Sequence, residues 1–166
     1  MAHFVKLNDS NEVVKVTVVP NDECPNDTEE EGIAYLNKTF SVTNVIWKKC
    51  SYNTQEGSHE LGGTPYRGNY PGVGWIYDDV NDIFITQKPH PSFVLNVAKA
   101  KWEAPVTSPT PEQCKGGAEV GKLLLDWDEA NQRWTAYDSA NASEGQDLTA
   151  TQKYAWNPST EAWDEI

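Results

Sequence analysis

Basic charge is scarce in this 166-residue chain: 13 Lys and Arg stand against 25 Asp and Glu, a formal charge of −12. Such a balance offers little to release counterions from a phosphate backbone, so a nucleic-acid partner is excluded on electrostatic grounds. Long apolar runs are missing as well. No stretch approaches the roughly 18 apolar residues of a membrane-spanning helix. Cysteine is sparse, with Cys24, Cys50 and Cys114 forming an odd set that contains no CxxC pair. That pattern fits neither a disulfide framework nor a zinc knuckle, and it suits a reducing cytosol. The opening residues Met1–Asn8 have no basic n-region and no apolar h-region, so a signal peptide is not expected. The sequons at Asn8, Asn26, Asn37 and Asn141 then read as incidental.

Aliphatic residues are also few. Ile, Leu, Val and Phe together make up just under a fifth of the chain, a level that with high charge suggests disorder. Seven Trp, seven Tyr and four Phe argue the other way, because disordered chains lack aromatics. Aromatic burial substitutes for aliphatic burial, and the expectation is a folded, loop-rich chain. The charge is uneven: −5 over residues 1–40, zero over 41–105 and −7 over 106–166. The acidic ends read as solvated surface.

One local pattern recurs. An apolar residue is followed by Asp or Asn, and a second apolar residue comes seven positions after the first: Leu7-Asn8…Val14, Tyr77-Asp78…Phe84, Leu95-Asn96…Trp102, Trp127-Asp128…Trp134 and Trp156-Asn157…Trp163. Each reads as a β-hairpin whose turn is capped by the Asp or Asn side chain while the apolar residues face each other across two strands. Their irregular spacing excludes a solenoid or propeller, which needs a fixed period. Val13 to Val19 alternates, with Val14, Val16 and Val18 on one face, and predicts a half-buried strand. Thr28 and Glu31 are placed as a capping box, and Ile33, Leu36 and Phe40 share a helical face. One short helix is therefore expected near residues 28–40, limited to about three turns by Gly32.

Residues 57–74 hold six of the eleven glycines among Pro65, Tyr66, Tyr70 and Pro71. This long Gly-rich loop is either ordered and pinned by its aromatics or mobile. The Pro-rich run 105–111 reads as a stiff connector. The expected organisation is a β-rich body over 1–104, the connector, and an acidic hairpin unit over 112–166 that would be marginal alone. The fold class is mainly β: an irregular antiparallel hairpin assembly with one short helix.

Candidate chemistry is thin. Gly116 to Lys122 matches G-x-x-x-x-G-K, but Leu123 replaces the Ser or Thr that binds Mg²⁺, and Glu119 would repel phosphate. A turn before a hairpin accounts for it better. His59 sits alone in the Gly-rich loop and reads as a hydrogen-bonding surface residue ahead of a catalyst or metal ligand. His90, between two prolines, reads as a stacking position or a spacer. The carboxylate pairs Asp78-Asp79, Asp126 with Asp128, and Asp164-Glu165 sit on turns, with no sign of two carboxyls facing across a cleft. No EF-hand pattern occurs. Catalytic, cofactor-binding and metal-binding residues are not expected. Trp134 and Trp163 are candidate exposed aromatics for a sugar platform, although cross-strand aromatics in such a chain are first of all core.

The segment Ser51-Tyr52-Asn53-Thr54, then Gly62-Gly63-Thr64-Pro65-Tyr66-Arg67-Gly68-Asn69-Tyr70, Gly72-Val73-Gly74, Tyr77-Asp78 and Pro89-His90-Pro91-Ser92-Phe93-Val94-Leu95 carries many tokens in fixed order. With the opening Met1-Ala2-His3-Phe4-Val5-Lys6-Leu7 it resembles small structural proteins of marine tailed phages, notably cyanophages, over roughly residues 1–105. The chain departs from that group in its acidic residues at 112–122 and in ending on two Trp-rich hairpins where shorter relatives close on one. The resemblance implies a non-enzymatic virion protein, made in the host cytoplasm, with the role of an accessory protein decorating the capsid. Its partners would be the major capsid protein or other virion proteins, self-association included. Gly62, Gly63, Tyr66, Arg67 and Tyr70 are the candidate contacts. The alternative is a tail, neck or fibre-associated protein that binds host glycan through Trp134 and Trp163.

Overall fold

A computed structural model describes residues 1–115, 123–138 and 153–166. The fold is mainly β, with antiparallel pairing throughout the registered ladders and one α-helix among the described residues. The chain forms two compact units: Met1–Pro89 with Leu95–Glu103, and His90–Val94 with Ala104–Ile166. No helix among the described residues is long and apolar enough to cross a membrane.

In the first unit β1 (Ala2–Leu7) is the central strand, flanked by β2 (Val13–Val19) and β3 (Ile46–Cys50). Its side chains alternate between two buried faces. Ala2 and Phe4 join Val19, Leu36 and Trp47 beneath α1 (Glu29–Phe40). Val5 and Leu7 join Val13, Cys50, Tyr77 and Phe84 on the other side. A central strand covered on both faces needs apolar residues at both parities, as β1 supplies. β2 is an edge and behaves differently: Val13 and Val19 are buried, whereas Val14 and Val18 are exposed. The expected apolar face of Val14, Val16 and Val18 therefore contributes only Val16 to the packing. A register irregularity pairs Leu7 with Val13, so this hairpin is one residue shorter than those at Tyr77, Trp127 and Trp156, and Val14 falls outside the ladder.

The short strands β4 (Thr54–Gln55) and β5 (Ser58–His59) form a tight hairpin, and β6 (Ile76–Asp78) pairs with β7 (Ile83–Ile85). β8 (Val94–Asn96) pairs with β9 (Lys101–Glu103). In the second unit β10 (Leu123–Asp128), β11 (Arg133–Asp138), β12 (Lys153–Asn157) and β13 (Ala162–Glu165) form one four-stranded sheet in sequence order. The two terminal hairpins are thus merged by pairing of β11 with β12. Segment 105–111 belongs to this unit: Pro109 is buried and the Val106 carbonyl accepts the Trp134 indole N–H at 3.1 Å. His90–Val94 belongs there too, because Phe93 packs edge-on against Trp127 and Trp134.

The turns follow the sequence pattern closely. Tyr77 faces Phe84, Trp127 faces Trp134, and Trp156 faces Trp163. Asp78 Oδ1 accepts from the backbone N–H groups of Val80 and Asn81, Asp128 Oδ1 from Asn131, Asn157 Oδ1 from Ser159, Asn96 Oδ1 from Lys99, and Asn8 Oδ1 from Ser10 and Glu12. Each hairpin turns back through one non-glycine residue at positive φ: Asn11, Asp82, Ala100, Gln132 and Glu161. At the helix, Thr28 Oγ1 accepts from Glu31 N, the first half of the expected capping box. The Glu31 carboxylate is shared between the backbone N–H groups of Thr28 and Asn26.

Gly32 lies against the fully buried Phe4 ring, where an added Cβ would fall 2.1 Å from Phe4 Cζ. Alanine would gain up to about 1 kcal/mol in helix propensity, whereas overpacking costs roughly 1–3 kcal/mol. Gly32→Ala is therefore expected to lower the denaturant midpoint, and Phe4→Leu in the same chain to restore part of the loss.

Candidate functional site

The Gly-rich segment contains neither helix nor strand between Glu60 and Trp75, yet its backbone is tied down at several points. Asn69, buried, does most of this: its Oδ1 accepts from Glu56 N, and its Nδ2 donates to the carbonyls of Phe84 and Ala100, all at 2.8 Å. That uses three of the four bonds an amide side chain can make. The Gly57 N–H donates to Gly68 O, and the Tyr70 N–H to Thr54 O, each at 2.8 Å. Polar bonds tie this loop down alongside the ring contacts of Tyr66 and Tyr70.

Arg67 is the second tie. Nη1 and Nη2 grip Glu29 Oε1 and Oε2 at 2.7 and 3.0 Å, Nη1 also donates to the Lys49 carbonyl at 2.7 Å, and Nε meets Asp82 Oδ1 at 2.6 Å. The arginine side chain is 10% exposed. Glu29 stands in the first turn of α1, so its charge also complements the helix dipole. Burial alone would push the Glu29 carboxyl up, but the bonds from Arg67 and from the Lys49 N–H hold it below its ordinary value. Asp82 follows the same logic, with the Tyr77 hydroxyl and Arg67 outweighing burial. Burial, then the bond to Asp82, pushes the Tyr77 phenol up to about 12. Lys49, itself buried, pairs with Asp27 at 2.8 Å.

Arg67 is thus spent on partners within its own unit, which leaves it little to offer a partner. Tyr66 is half-buried, with the Lys49 ammonium 5.2 Å from its ring centroid. Tyr70 is half-buried, its hydroxyl 3.2 Å from His3 Nδ1 and its ring edge-on to Tyr52. Gly62 and Gly63 are exposed, alongside Leu61, Thr64 and Pro65. His59 organises this tip: its Nδ1 accepts from the N–H groups of Leu61 and Gly63 at 3.2 and 3.0 Å. His90 packs against Phe93 with ring centroids 4.9 Å apart and the planes tilted by 47°.

Trp134 and Trp163 are half-buried, not exposed. Their indole N–H groups donate to the carbonyls of Val106 and Gln113, and their rings pair with Trp127 and Trp156. The cross-strand pairing that suggested a platform is what consumes them. The Gly116–Lys122 motif lies outside the described residues. Among the described residues no group of three His, Cys, Asp or Glu could hold a metal ion.

One groove in the first unit was not legible in the sequence. It encloses about 590 Å³ and is lined by Tyr52, Gln55, Glu60, Tyr70, Trp75 and Trp102, among others. Trp75 stands outside the hairpin pattern and Trp102 inside it, so pattern alone did not join them. A second hollow of about 450 Å³ runs beside His3, Lys49, Cys50, His59 and Tyr66. Comparison of the chain with protein-family models, curated proteins and solved structures found no match.

The lowered Glu29 and Asp82 groups make stability pH-dependent with a definite sign. Their contribution is complete above the ordinary carboxylate values of 4.5 and 3.8 and is lost as pH falls through the depressed folded-state values. Tyr77 acts at the other end, contributing below pH 10 and losing that contribution as pH rises through about 12. Denaturation midpoints measured across pH should therefore fall on both flanks. Glu29→Gln is expected to start lower at neutral pH and to show a shallower acid flank.

Proposed function

We propose that the chain is a non-enzymatic structural protein of a tailed-phage particle, acting as an accessory protein on the head surface. The observation that carries the reading is the ordered set of tokens from Ser51 to Leu95. Several of these tokens also build the first unit: Thr54 and Asn69 tie the loop, Arg67 binds Glu29 and Asp82, and Tyr77 faces Phe84. The resemblance thus rests on residues with structural roles in this chain. It brings no catalytic residues with it.

The contact surface shifts from the sequence expectation. With Arg67 committed, the tip Leu61–Pro65 is the better grip. Leu61 is 78% exposed, its neighbours are exposed, and His59 fixes their backbone. A projecting apolar side chain on a rigid turn can fill a pocket at low entropic cost. The tail or fibre reading loses its original platform, because Trp134 and Trp163 are engaged inside the second unit.

Quantitative mass spectrometry of purified particles tests the reading. The expected result is this chain at a copy number in fixed proportion to the major capsid protein. Absence from the particle would sink it, and a few copies per particle would move the protein to the tail. Leu61→Asp is expected to leave the thermal midpoint unchanged and to cut the amount retained on particles.

A further inference from the structure

Seven tryptophans divide unequally in their uses. Trp47, Trp127, Trp134, Trp156 and Trp163 each pair with another aromatic ring. Trp75 and Trp102 pair with none among the described residues, and both line the 590 Å³ groove. Each is half-buried and backed by a core cluster, Trp75 by the one containing Tyr77 and Phe84, and Trp102 by the one containing Ile83 and Ile85. They are flat rings held rigidly from behind. Trp102 spends its N–H on the Thr86 carbonyl at 2.9 Å, whereas the Trp75 N–H has no partner among the described residues.

The polar lining has spare capacity too. The side chains of Gln55 and Glu60 are exposed, line the groove, and make no hydrogen bond or ion pair among the described residues. Glu56 is neutralised by Lys101 at 2.9 Å. A volume near 590 Å³ lies within the roughly 300–1,000 Å³ typical of small-ligand clefts.

We propose that this groove binds a neutral saccharide, with Trp75 and Trp102 as stacking faces and Gln55 and Glu60 as hydroxyl partners. A sugar ring has an apolar C–H face and a rim of hydroxyls. It needs flat apolar surface beside groups that both donate and accept, as indole, amide and carboxylate do. The remaining charges favour an uncharged ligand. An anion would face Glu60, whose carboxylate has no ion-pair partner among the described residues. A cation would compete with the Lys88 ammonium, which already lies over the Trp102 ring, 5.5 Å from its centroid. An apolar ligand would strip water from Gln55 and Glu60 without replacing its bonds. The inference stands on the first unit alone and does not rest on the virion reading.

The test uses the full chain in isothermal titration with laminarin, dextran and yeast mannan, backed by a glycan array. Saturable binding to at least one saccharide is expected. Trp75→Ala should weaken it by about tenfold or more. Because Trp75 is part of a core cluster, Gln55→Ala is the companion variant: its side chain is exposed, so the fold should survive, and affinity should fall about threefold to tenfold. A blank array with no heat from the three polysaccharides would overturn the proposal. Binding undiminished in both variants, or lost only on Trp163→Ala, would overturn it as well. Binding of tetramethylammonium without any saccharide response would do the same, in favour of a cationic ligand.

Discussion

A guanidinium with a tenth of its side chain exposed is the constraint around which the first unit is arranged. Arg67 joins three segments that have no backbone pairing with one another: the first turn of α1 through Glu29, strand β3 through the Lys49 carbonyl, and the β6–β7 turn through Asp82. An ammonium could not make the same set, because the bonds to Glu29 need two parallel N–H groups while a third N–H is free for Asp82. Burying such a charge is unfavourable unless its donors are used, and here four of the five N–H groups are. Arg67 itself sits at φ +51°, a left-handed conformation that a non-glycine residue adopts at a cost. The bonds to Glu29 and Asp82 offset that cost.

Elsewhere the molecule solves its shortage of aliphatic residues by repeating one device. A strand ends on an apolar residue, an Asp or Asn caps the turn, a left-handed residue closes it, and a second apolar residue returns to face the first. In the second unit the facing pairs are tryptophans, Trp127 with Trp134 at 5.1 Å and Trp156 with Trp163 at 5.3 Å. Such a pair contributes roughly 0.5–1.5 kcal/mol beyond its buried area. Packing in that unit rests on a few large rings.

What the sequence reveals depends on the range over which the forces act. The hairpins are local: an Asx cap and its facing residues lie within eight positions, so Asp78, Asn96, Asp128 and Asn157 announce their turns. The helix start at Thr28 is local for the same reason. Arg67 and Glu29 are 38 residues apart, and no period or spacing joins them. One signal was present. The chain has only two arginines, Arg67 and Arg133, among eleven lysines, and arginine marks places where planar, forked hydrogen bonding is required. The groove was hidden by another limit. Trp102 belongs to the hairpin pattern and Trp75 does not, and only the folded chain brings both to one lining. The register slip at Leu7 was hidden because Val13 and Val14 are the same residue type.

The same constraint bears on function. Residues that tie down a loop leave its tip free to be stiff and exposed, as at Leu61–Pro65, and give a groove walls that do not collapse. Both features depend on Arg67 and Asn69 holding the segment between β5 and β6. The most direct measurement is the unfolding free energy of Arg67→Lys against the unaltered chain in urea at neutral pH. The substitution keeps the charge and removes the fork. The account predicts a loss of about 2–4 kcal/mol, in the range for breaking a buried pair with partly exposed partners. A change within about 0.5 kcal/mol, the level of an ordinary surface substitution, would contradict it.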